Sequence, residues 1–234
     1  MATEASAYAA LQGLATRLEA FSLDLPKNGA DGRKDSDDNE CLVIDEAERL
    51  VSRGRLRGFG KIDFIRGGPR AWYDFAFRLS DAGRSFFAPV NVKISSFKGA
   101  DNISAKLGIY YALTGLHPTC APGVSWPDFF TLLEDHIGAG PDADYYFLVV
   151  EKSEESAGRI FTQSLRRLRR IVPNGNNVPF QCNWAQNLDP HPYRNLRDAE
   201  RFLVFDGLHT SLEMRAQAYR ASERYIRVRG VANE

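Results

Sequence analysis

The residues Asp74, Asn91 and Lys93 have the side-chain chemistry of a catalytic centre, and the sequence predicts that they meet. Asp74 lies in an extended segment, Trp72–Leu79, and Asn91 and Lys93 lie in the next one, Phe86–Ser95. Side chains alternate along a strand, so Asn91 and Lys93 share one face, and a hairpin between the segments brings Asp74 opposite them. Carboxylate oxygens bind hard cations and an ammonium group stabilises negative charge.

A three-stranded antiparallel meander is predicted to position these residues. Its first strand is Lys61–Arg66, which precedes the two segments that carry the polar residues. The sequences Gly67-Gly68-Pro69 and Ser80-Asp81-Ala82-Gly83 separate the three strands, and both have the composition of tight turns.

Helices and a buried strand are predicted around the meander. A helix at about 38–53 precedes it, and a helix at about 102–114, opened by Asp101-Asn102 and ended by Gly115, follows it. The run Tyr145–Val150 is apolar without interruption, as is typical of a strand covered on both faces. This order predicts an α/β fold with a central mixed β-sheet flanked by helices.

The rest of the chain is predicted to complete one domain, residues 1–234, because no composition shift divides it. The N-terminus reads as a helical arm, 1–25, with its helix at 3–22, followed by a polar flexible loop, 26–39. The later predicted elements are a basic helix at about 158–171, strands at Phe180–Trp184 and around Phe202–Phe205, and a C-terminal helix at about 208–226.

Asp74 is followed about twenty residues later by a strand that bears Asn91-Val92-Lys93, an x-hydrophobic-Lys sequence. This arrangement resembles the signature of the PD-(D/E)xK nuclease superfamily. The segment from Phe97 to Gly115 is similar to the one that follows the catalytic strand in several type II restriction endonucleases of that superfamily. The resemblance extends over about 40–120 in order and topology. It implies a restriction-endonuclease-like core, Mg²⁺-dependent cleavage of double-stranded DNA and a homodimer.

The resemblance also implies roles for individual residues. Asp74 is expected to be the main ligand of Mg²⁺, and the backbone carbonyl of Val92 an additional one. Lys93 is expected beside the attacking water and the scissile phosphate. These residue types suit the reaction, because a cation held by carboxylates stabilises charge on the phosphate and lowers the pKa of the attacking water.

The sequence departs from this pattern at two positions. Tyr73 replaces a proline, and Asn91 stands where the superfamily has Asp or Glu. A neutral amide oxygen is a poor substitute for a carboxylate on a hard dication, so a second acid is expected elsewhere. Glu46, within the apolar stripe of its helix, and Asp101, ahead of the next helix, are the two candidates. Each has a structural alternative, the edge of the stripe for Glu46 and a helix N-cap for Asp101.

Side chains that contact DNA are predicted near the site and in the basic helix. Basic side chains bind phosphates, whereas amides read base edges, most often those of adenine. A solvated helix face is the alternative for the arginine cluster. The candidates are Arg66, Arg70, Lys98, Lys106, Arg166, Arg167 and Asn183, and the amides of Asn174–Asn177 and Gln181 are a further set.

The composition restricts the classes of protein that need to be considered. The chain has 234 residues, with 44% hydrophobic and 26% charged residues, and its 30 Lys and Arg balance 30 Asp and Glu. Such a chain is globular, and any DNA contact requires a local basic surface. Three scattered cysteines, a polar N-terminal run and no long apolar stretch favour a cytoplasmic protein without a membrane segment.

Two other interpretations compete with an active nuclease of this superfamily. A DNA-binding module that kept the nuclease fold and lost catalysis is the main alternative, and Asn91 favours it. The sequence Gly108-Ile109-Tyr110-Tyr111 resembles half of a GIY-YIG nuclease motif, but no second half follows. We therefore predict that these aromatic residues lie in the core.

Overall fold

The described part of the chain comprises residues 2–21, 23–26, 32–54, 56, 58–69, 71–103, 105–118, 123–153 and 156–222 of a computed structural model. The strands are β1 (Lys61–Arg66), β2 (Phe75–Asp81), β3 (Arg84–Ser95), β4 (Asp101–Ile103), β5 (Tyr146–Ser153), β6 (Ser156–Ser164) and β7 (Phe180–Cys182). The α-helices are α1 (Glu4–Ala20), α2 (Gly32–Ser52), α3 (Lys106–Thr114), α4 (Trp126–His136), α5 (Leu196–Glu200) and α6 (Thr210–Arg220). A π-helix (Arg201–His209) joins α5 to α6.

A five-stranded mixed sheet lies at the centre of the molecule, with the strand order β1-β2-β3-β5-β6. The first three strands form the predicted antiparallel meander, and β3 pairs with β5 in parallel. Strands β4 and β7 form a separate two-stranded sheet. The predicted α/β fold, with a central mixed sheet flanked by helices, is confirmed at this level.

The two faces of the central sheet are covered by different helices. Helices α1 and α2 cover one face, which we call the α2 face, where Val90 and Val92 are fully buried. Helices α3 and α4 cover the opposite face, which we call the α3 face, where Phe147 is fully buried. Because side chains alternate, β5 is buried on both faces, as its apolar sequence predicts.

The bounds of β2 differ from the sequence prediction. The strand begins at Phe75, so Trp72 and Asp74 lie in the bend that leads into it. The Trp72 ring packs against the rings of Tyr73 and Tyr145, with centroids 5.3 and 5.8 Å apart, and the Tyr145 hydroxyl donates to the Trp72 carbonyl at 2.8 Å. These contacts help to hold the bend ahead of β2.

Helix α1, predicted as an arm, packs against β6 and is part of the core. Its residues Leu11, Leu14 and Leu18 are buried on the α2 face. At its N-terminal end, Glu4 forms a mostly buried ion pair with Arg167, with Oε2 and Nη2 2.8 Å apart. Since breaking a buried pair leaves a charge uncompensated, this contact ties α1 to the end of β6.

The predicted basic helix at 158–171 is wrong. The segment forms β6 and a short 3₁₀ turn, Leu165–Arg167. Ile160 is buried on the α2 face, while Phe161 packs on the α3 face. Pairing with β5 places the side chains of β6 in alternation on the two faces, and this period of two decides the structure.

One other predicted segment is wrong, and another has a shifted start. Phe202–Phe205 lies in the π-helix, where Leu203 is buried and Phe205 is exposed. The helix predicted from residue 102 begins at Lys106, because Asp101–Ile103 pairs with β7 as a strand.

The helices predicted at about 38–53 and 208–226 also have shifted bounds. Helix α2 begins at Gly32, so part of the predicted flexible loop 26–39 is helical, and residues 27–31 lie outside the described residues. Helix α6 ends at Arg220, and residues 223–226 of the predicted C-terminal helix also lie outside the described part.

Among the described residues, no helix combines the length and the apolar character that crossing a membrane requires. The longest one, α2, spans 21 residues but carries charged side chains along its length, including Asp45 and Glu48.

Candidate active site

The Asp74 carboxylate is held against β3 by two hydrogen bonds to one of its oxygens. Asp74 Oδ2 accepts from the Val92 amide at 2.6 Å and from Asn91 Nδ2 at 2.8 Å. The Asp74 amide donates to the Val90 carbonyl at 2.9 Å, which continues the β2–β3 pairing by one residue. The predicted meeting of Asp74 and Asn91 is confirmed.

Small and aromatic residues fix the backbone around Asp74. The Gly67 amide donates to the Asp74 carbonyl at 2.8 Å, and a Cβ atom at Gly67 would collide with the Tyr73 carbonyl oxygen. Tyr145, which anchors Trp72, packs against Gly108 of α3 so closely that a Cβ atom there would lie 2.7 Å from its ring. Glycine is required at both positions by close approach, so α3 supports the bend that carries Asp74.

Asn91 and Lys93 lie on the α3 face beside Asp74. In the parallel register, Asn91 is next to Phe147 and Lys93 is next to Val149, and both of these β5 residues are buried on the α3 face. Asn91 and Lys93 are themselves half-buried. The carboxylate, the amide and the ammonium predicted from the sequence thus share one side of the sheet.

Burial raises the pKa of Asp74 above its ordinary value. The Val92 amide and the positive charge of Lys93 act in the opposite direction, because both stabilise the ionised form. A carboxyl group of this kind takes up a proton more readily than an exposed aspartate. Cation binding at Asp74 is therefore expected to weaken at acidic pH, where the group becomes neutral.

The groups around Asp74 suit a magnesium ion. Oδ2 is used by Asn91 and Val92, and no hydrogen bond from another described residue to Oδ1 is found. The amide and carbonyl of an extended residue point to the same side, so the Val92 carbonyl faces the edge where its amide meets Asp74. Mg²⁺ is commonly held by one or two carboxylates, with water and substrate phosphate completing its shell.

The two candidates for a second acid each make other contacts in the structure. Within the described residues, no group of three or more His, Cys, Asp or Glu side chains could hold a metal ion. Glu46 instead pairs with Arg49, which lies one turn further along α2. Arg49 Nε donates to Glu46 Oε2 at 2.6 Å. The helix N-cap expected at Asp101 is wrong, because Asp101 pairs with Cys182 in the small sheet. Its Oδ2 is buried without a hydrogen-bond partner among the described residues.

The basic candidates near the site differ in their surroundings. Arg66 is half exposed and forms ion pairs with Asp45 and Glu48 of α2. Lys98 is exposed in the segment after β3. Lys106 donates to the Val124 carbonyl, and its ammonium lies 3.9 Å from the centre of the Trp126 ring. Arg70 lies outside the described residues.

Arg166 and Arg167 are engaged within the protein. Arg166 is 4% exposed, and its guanidinium donates to the Arg194 carbonyl at 2.8 Å and to Asp142 Oδ1 at 2.5 Å. Arg167 forms the ion pair with Glu4 described above. Both guanidinium groups therefore stabilise the packing of α1 and of the segment around Arg194 on the end of β6.

Asn183 begins the 3₁₀ turn Trp184–Asn187. Its backbone carbonyl accepts from Asn187 Nδ2 at 2.8 Å. Its side-chain Oδ1 is buried and has no hydrogen-bond partner among the described residues. The side chain thus points into the protein at this position.

An aromatic cluster beside Asp74 was not singled out from the sequence. Trp72 lies at its centre, with the rings of Tyr73, Phe87, Tyr111 and His117 within 6.4 Å between centroids. The buried Tyr111 hydroxyl donates to the Phe87 carbonyl at 3.0 Å. Tyr110 and Tyr111 are buried, as predicted. The dipeptide Trp72-Tyr73 directly before Asp74 is the sequence feature that indicates such a cluster.

No protein-family model and no curated protein matches this sequence.

Proposed function

We propose that this protein is a sequence-specific, Mg²⁺-dependent endonuclease that hydrolyses phosphodiester bonds in double-stranded DNA, as type II restriction endonucleases do. The observation that carries the proposal is the Asp74 carboxylate, which accepts from Asn91 and Val92 while Lys93 follows on the same face. A half-buried carboxylate and lysine held together by a strand pairing are the groups that phosphodiester hydrolysis requires.

The topology of the chain around this site supports the same proposal. Helix α2, the meander β1-β2-β3 and helix α3 occur in the order that the resemblance implies, and the parallel strand β5 lies beside β3. On this basis we propose a restriction-endonuclease-like core. Fold alone does not define activity, whereas the residues at the site determine the chemistry.

Each residue at the site has a distinct role in the proposed reaction. Asp74 would hold the cation, and Val92 and Asn91 fix the direction of its carboxylate. A Mg²⁺ ion held there would stabilise negative charge on the phosphate and lower the pKa of the attacking water. Lys93 orients that water and stabilises the charge that develops on the phosphate oxygens.

We further propose that the active unit is a homodimer. One active site per chain cuts one strand, so two-fold symmetry that matches the DNA gives cleavage of both strands. Helix α6 and the π-helix are the candidate interface elements, since Phe205, Met214 and Tyr219 are exposed on them.

Digestion of a phage genome tests the proposed function. With Mg²⁺ we expect discrete fragments, and with EDTA we expect intact DNA. Sequencing the fragment ends identifies the recognition site, and sedimentation of the DNA complex in Ca²⁺ is expected to show two protein copies. DNA that stays intact across a range of divalent ions contradicts the enzymatic proposal.

A catalytically inactive DNA-binding module is the second candidate. The amide of Asn91 favours it, because this neutral group occupies the position next to Asp74 where a second carboxylate is expected. Such a module shifts the mobility of DNA without cutting it. The same digestion, run beside a mobility-shift measurement, separates the two functions.

Replacing Asn91 with aspartate is expected to lower the Mg²⁺ concentration for half-maximal cleavage by about tenfold, because a second carboxylate increases the charge around the cation. Titration of the cleavage rate with Mg²⁺ measures this shift. Asn91→Leu, which removes both the oxygen and the NH₂ of the side-chain amide, serves as the comparison. An unchanged Mg²⁺ dependence of Asn91→Asp would place this side chain outside the coordination shell.

A further inference from the structure

A cleft of about 200 Å³ opens between β4, the start of α4, the loop after β6 and helix α6. It is lined by carboxamides and a guanidinium group, together with one indole ring. The residues that line it include Asn102, Trp126, Asn176, Asn177 and Arg215. Its volume is below the roughly 300 to 1,000 Å³ of sites for drug-sized ligands, so it suits the edge of one base rather than a larger molecule.

A chain of amide hydrogen bonds fixes one wall of the cleft. Asn174 Nδ2 donates to Gln181 Oε1 at 2.7 Å, and Gln181 Nε2 donates to Asn102 Oδ1 at 2.9 Å. Because the Asn102 oxygen accepts from Gln181, its NH₂ group is turned away from Gln181 and remains a donor in the cleft. These amides come from β4, β7 and the loop, so three separate segments define the wall.

The loop that carries Asn176 and Asn177 is held in place by Asn174 and Arg215. Asn174 Oδ1 accepts from the amides of Asn176 and Asn177 at 2.8 and 3.2 Å. Arg215 Nε donates to the Gly175 carbonyl and Nη2 donates to the Asn176 carbonyl, at 2.5 and 3.0 Å. A loop fixed in this way loses little conformational entropy when a ligand binds.

The carboxamides of Asn176 and Asn177 make no side-chain hydrogen bonds to other described residues. Each presents a donor and an acceptor side by side, which is the pattern that pairs with N6 and N7 of adenine. A guanine prefers the two parallel donors of an arginine. Arg215 has already engaged Nε and Nη2 with the loop carbonyls, so this cleft favours adenine over guanine.

Positive charge lies at the boundary of the cleft. Arg215 keeps its charge while it binds the loop, and the Lys106 ammonium lies 3.9 Å from the centre of the Trp126 ring. A nucleotide carries its negative phosphate next to the base, so an amide surface beside cations matches both parts. The cleft is joined to the candidate active site by the short segment between Lys93 of β3 and Asn102 of β4.

We propose that this cleft recognises an adenine nucleotide, with the base edge on Asn176 and Asn177 and the phosphate near Arg215. The main expected ligand is an adenine within DNA, and in this respect the proposal rests on the proposed function. A free adenine nucleotide has the same chemistry and is the other source. Recognition of adenine would make the cleft a determinant of DNA sequence specificity.

Binding measurements on the full chain in EDTA test this proposal without any cleavage. The probes are fluorescein-labelled duplexes of equal length, one of alternating A and T and one of alternating G and C, and the free nucleotides AMP and GMP. We expect the A·T duplex to bind about tenfold more tightly than the G·C duplex, since one bidentate contact gives this discrimination. Asn176→Ala and Asn177→Ala are each expected to reduce that ratio.

Gln217→Ala is the matched control, because Gln217 is an exposed amide on the same helix as Arg215 and lies outside the cleft lining. Its ratio is expected to equal that of the natural protein. If AMP binds more tightly than GMP in an Asn177-dependent manner and the duplexes do not discriminate, the source is a free nucleotide. If neither pair of probes shows discrimination, or if the two alanine variants leave it unchanged, the proposal is wrong.

The outcome is separable from that of the proposed function. The protein could cut phage DNA with an adenine preference that Asn176→Ala and Asn177→Ala leave unchanged. That result would contradict the role of the cleft and support the endonuclease. The protein could instead show an adenine preference that depends on these residues and yet cut no DNA. That result would support the role of the cleft and contradict the endonuclease.

Discussion

Replacing Lys93 with methionine is expected to lower the rate of Mg²⁺-dependent DNA cleavage by about 10³-fold and to leave Mg²⁺-dependent DNA binding in place. Methionine keeps the length of the side chain and removes the ammonium group. Lys93 lies beside buried Val149 on the α3 face, so an apolar side chain of similar length is compatible with its surroundings. Single-turnover cleavage and a mobility shift in Ca²⁺ measure the two effects.

Asp74→Asn is expected to remove cleavage to the same extent for a different reason. The asparagine oxygen can still accept from the Val92 amide, so the bend keeps its shape, but the negative charge that holds the cation is lost. In this variant, the strengthening of DNA binding by Ca²⁺ is expected to disappear. Comparing the two variants thus separates the residue that binds the cation from the residue that acts on the water and phosphate.

The ion pair of Lys61 and Asp63 on the neighbouring strand β1 provides matched controls. Their charged groups lie 3.1 Å apart and both side chains are exposed, so Lys61→Met and Asp63→Asn make the same chemical changes on the solvent side. We expect cleavage within about twofold of the natural protein in both, because exposed pairs contribute little. Equal losses in the Lys93 and Lys61 variants would contradict a specific role for Lys93.

Hairpin register is the reason that the candidate site could be predicted from sequence. The turn at Ala82 and Gly83 and the alternating apolar residues of β3 leave one register in which the buried side chains face the core, and it brings Asp74 to Asn91. Local chemistry therefore determines the contact between residues that are close in the chain. The glycines on either side of β1, Gly60 and Gly67, likewise predict its bounds.

Contacts between distant segments could not be predicted in this way. The stretch Phe202–Phe205 has the composition of a strand, yet it is helical because Leu203 packs in the core on the α3 face. Arg166 follows a strand, and it is buried because Asp142 and the Arg194 carbonyl neutralise and bind its guanidinium. The alignment of Asn102 with the loop at Asn176 depends on β4–β7 pairing, which no local pattern indicates.

Asp144 is a fully buried carboxylate two residues before β5. Its Oδ1 accepts from the amides of Tyr145 and Arg166 at 2.8 and 3.3 Å, while Oδ2 is buried without a hydrogen-bond partner among the described residues. Burial raises the pKa of Asp144 from 3.8 to about 7, and the charge of Glu4 adds to this effect while that of Arg166 opposes it. The folded protein therefore holds a proton on Asp144 that the unfolded chain releases at much lower pH.

The free energy of unfolding of Asp144→Asn is compared with that of the natural protein. We expect this difference to grow, in favour of the variant, by about 4 kcal/mol as the pH rises from about 4 to about 8. The folded-state pKa of Asp144 is raised, so its stabilising contribution is complete below 3.8 and is lost as the pH rises through about 7. Asparagine stays neutral, and its oxygen can accept from the same two amides. Urea unfolding at a series of pH values measures the difference.

Asp135→Asn is the control, because Asp135 is an exposed carboxylate on α4 and the substitution removes the same charge. Its effect on the free energy of unfolding is expected to stay within about 0.5 kcal/mol at every pH, as is usual for surface positions. Arg166 and the Tyr145 amide favour the ionised form of Asp144, but they offset only part of the cost of burying its charge. A difference between Asp144→Asn and the natural protein that is constant across pH would show that Asp144 ionises as readily in the folded chain as in the unfolded one, which full burial opposes.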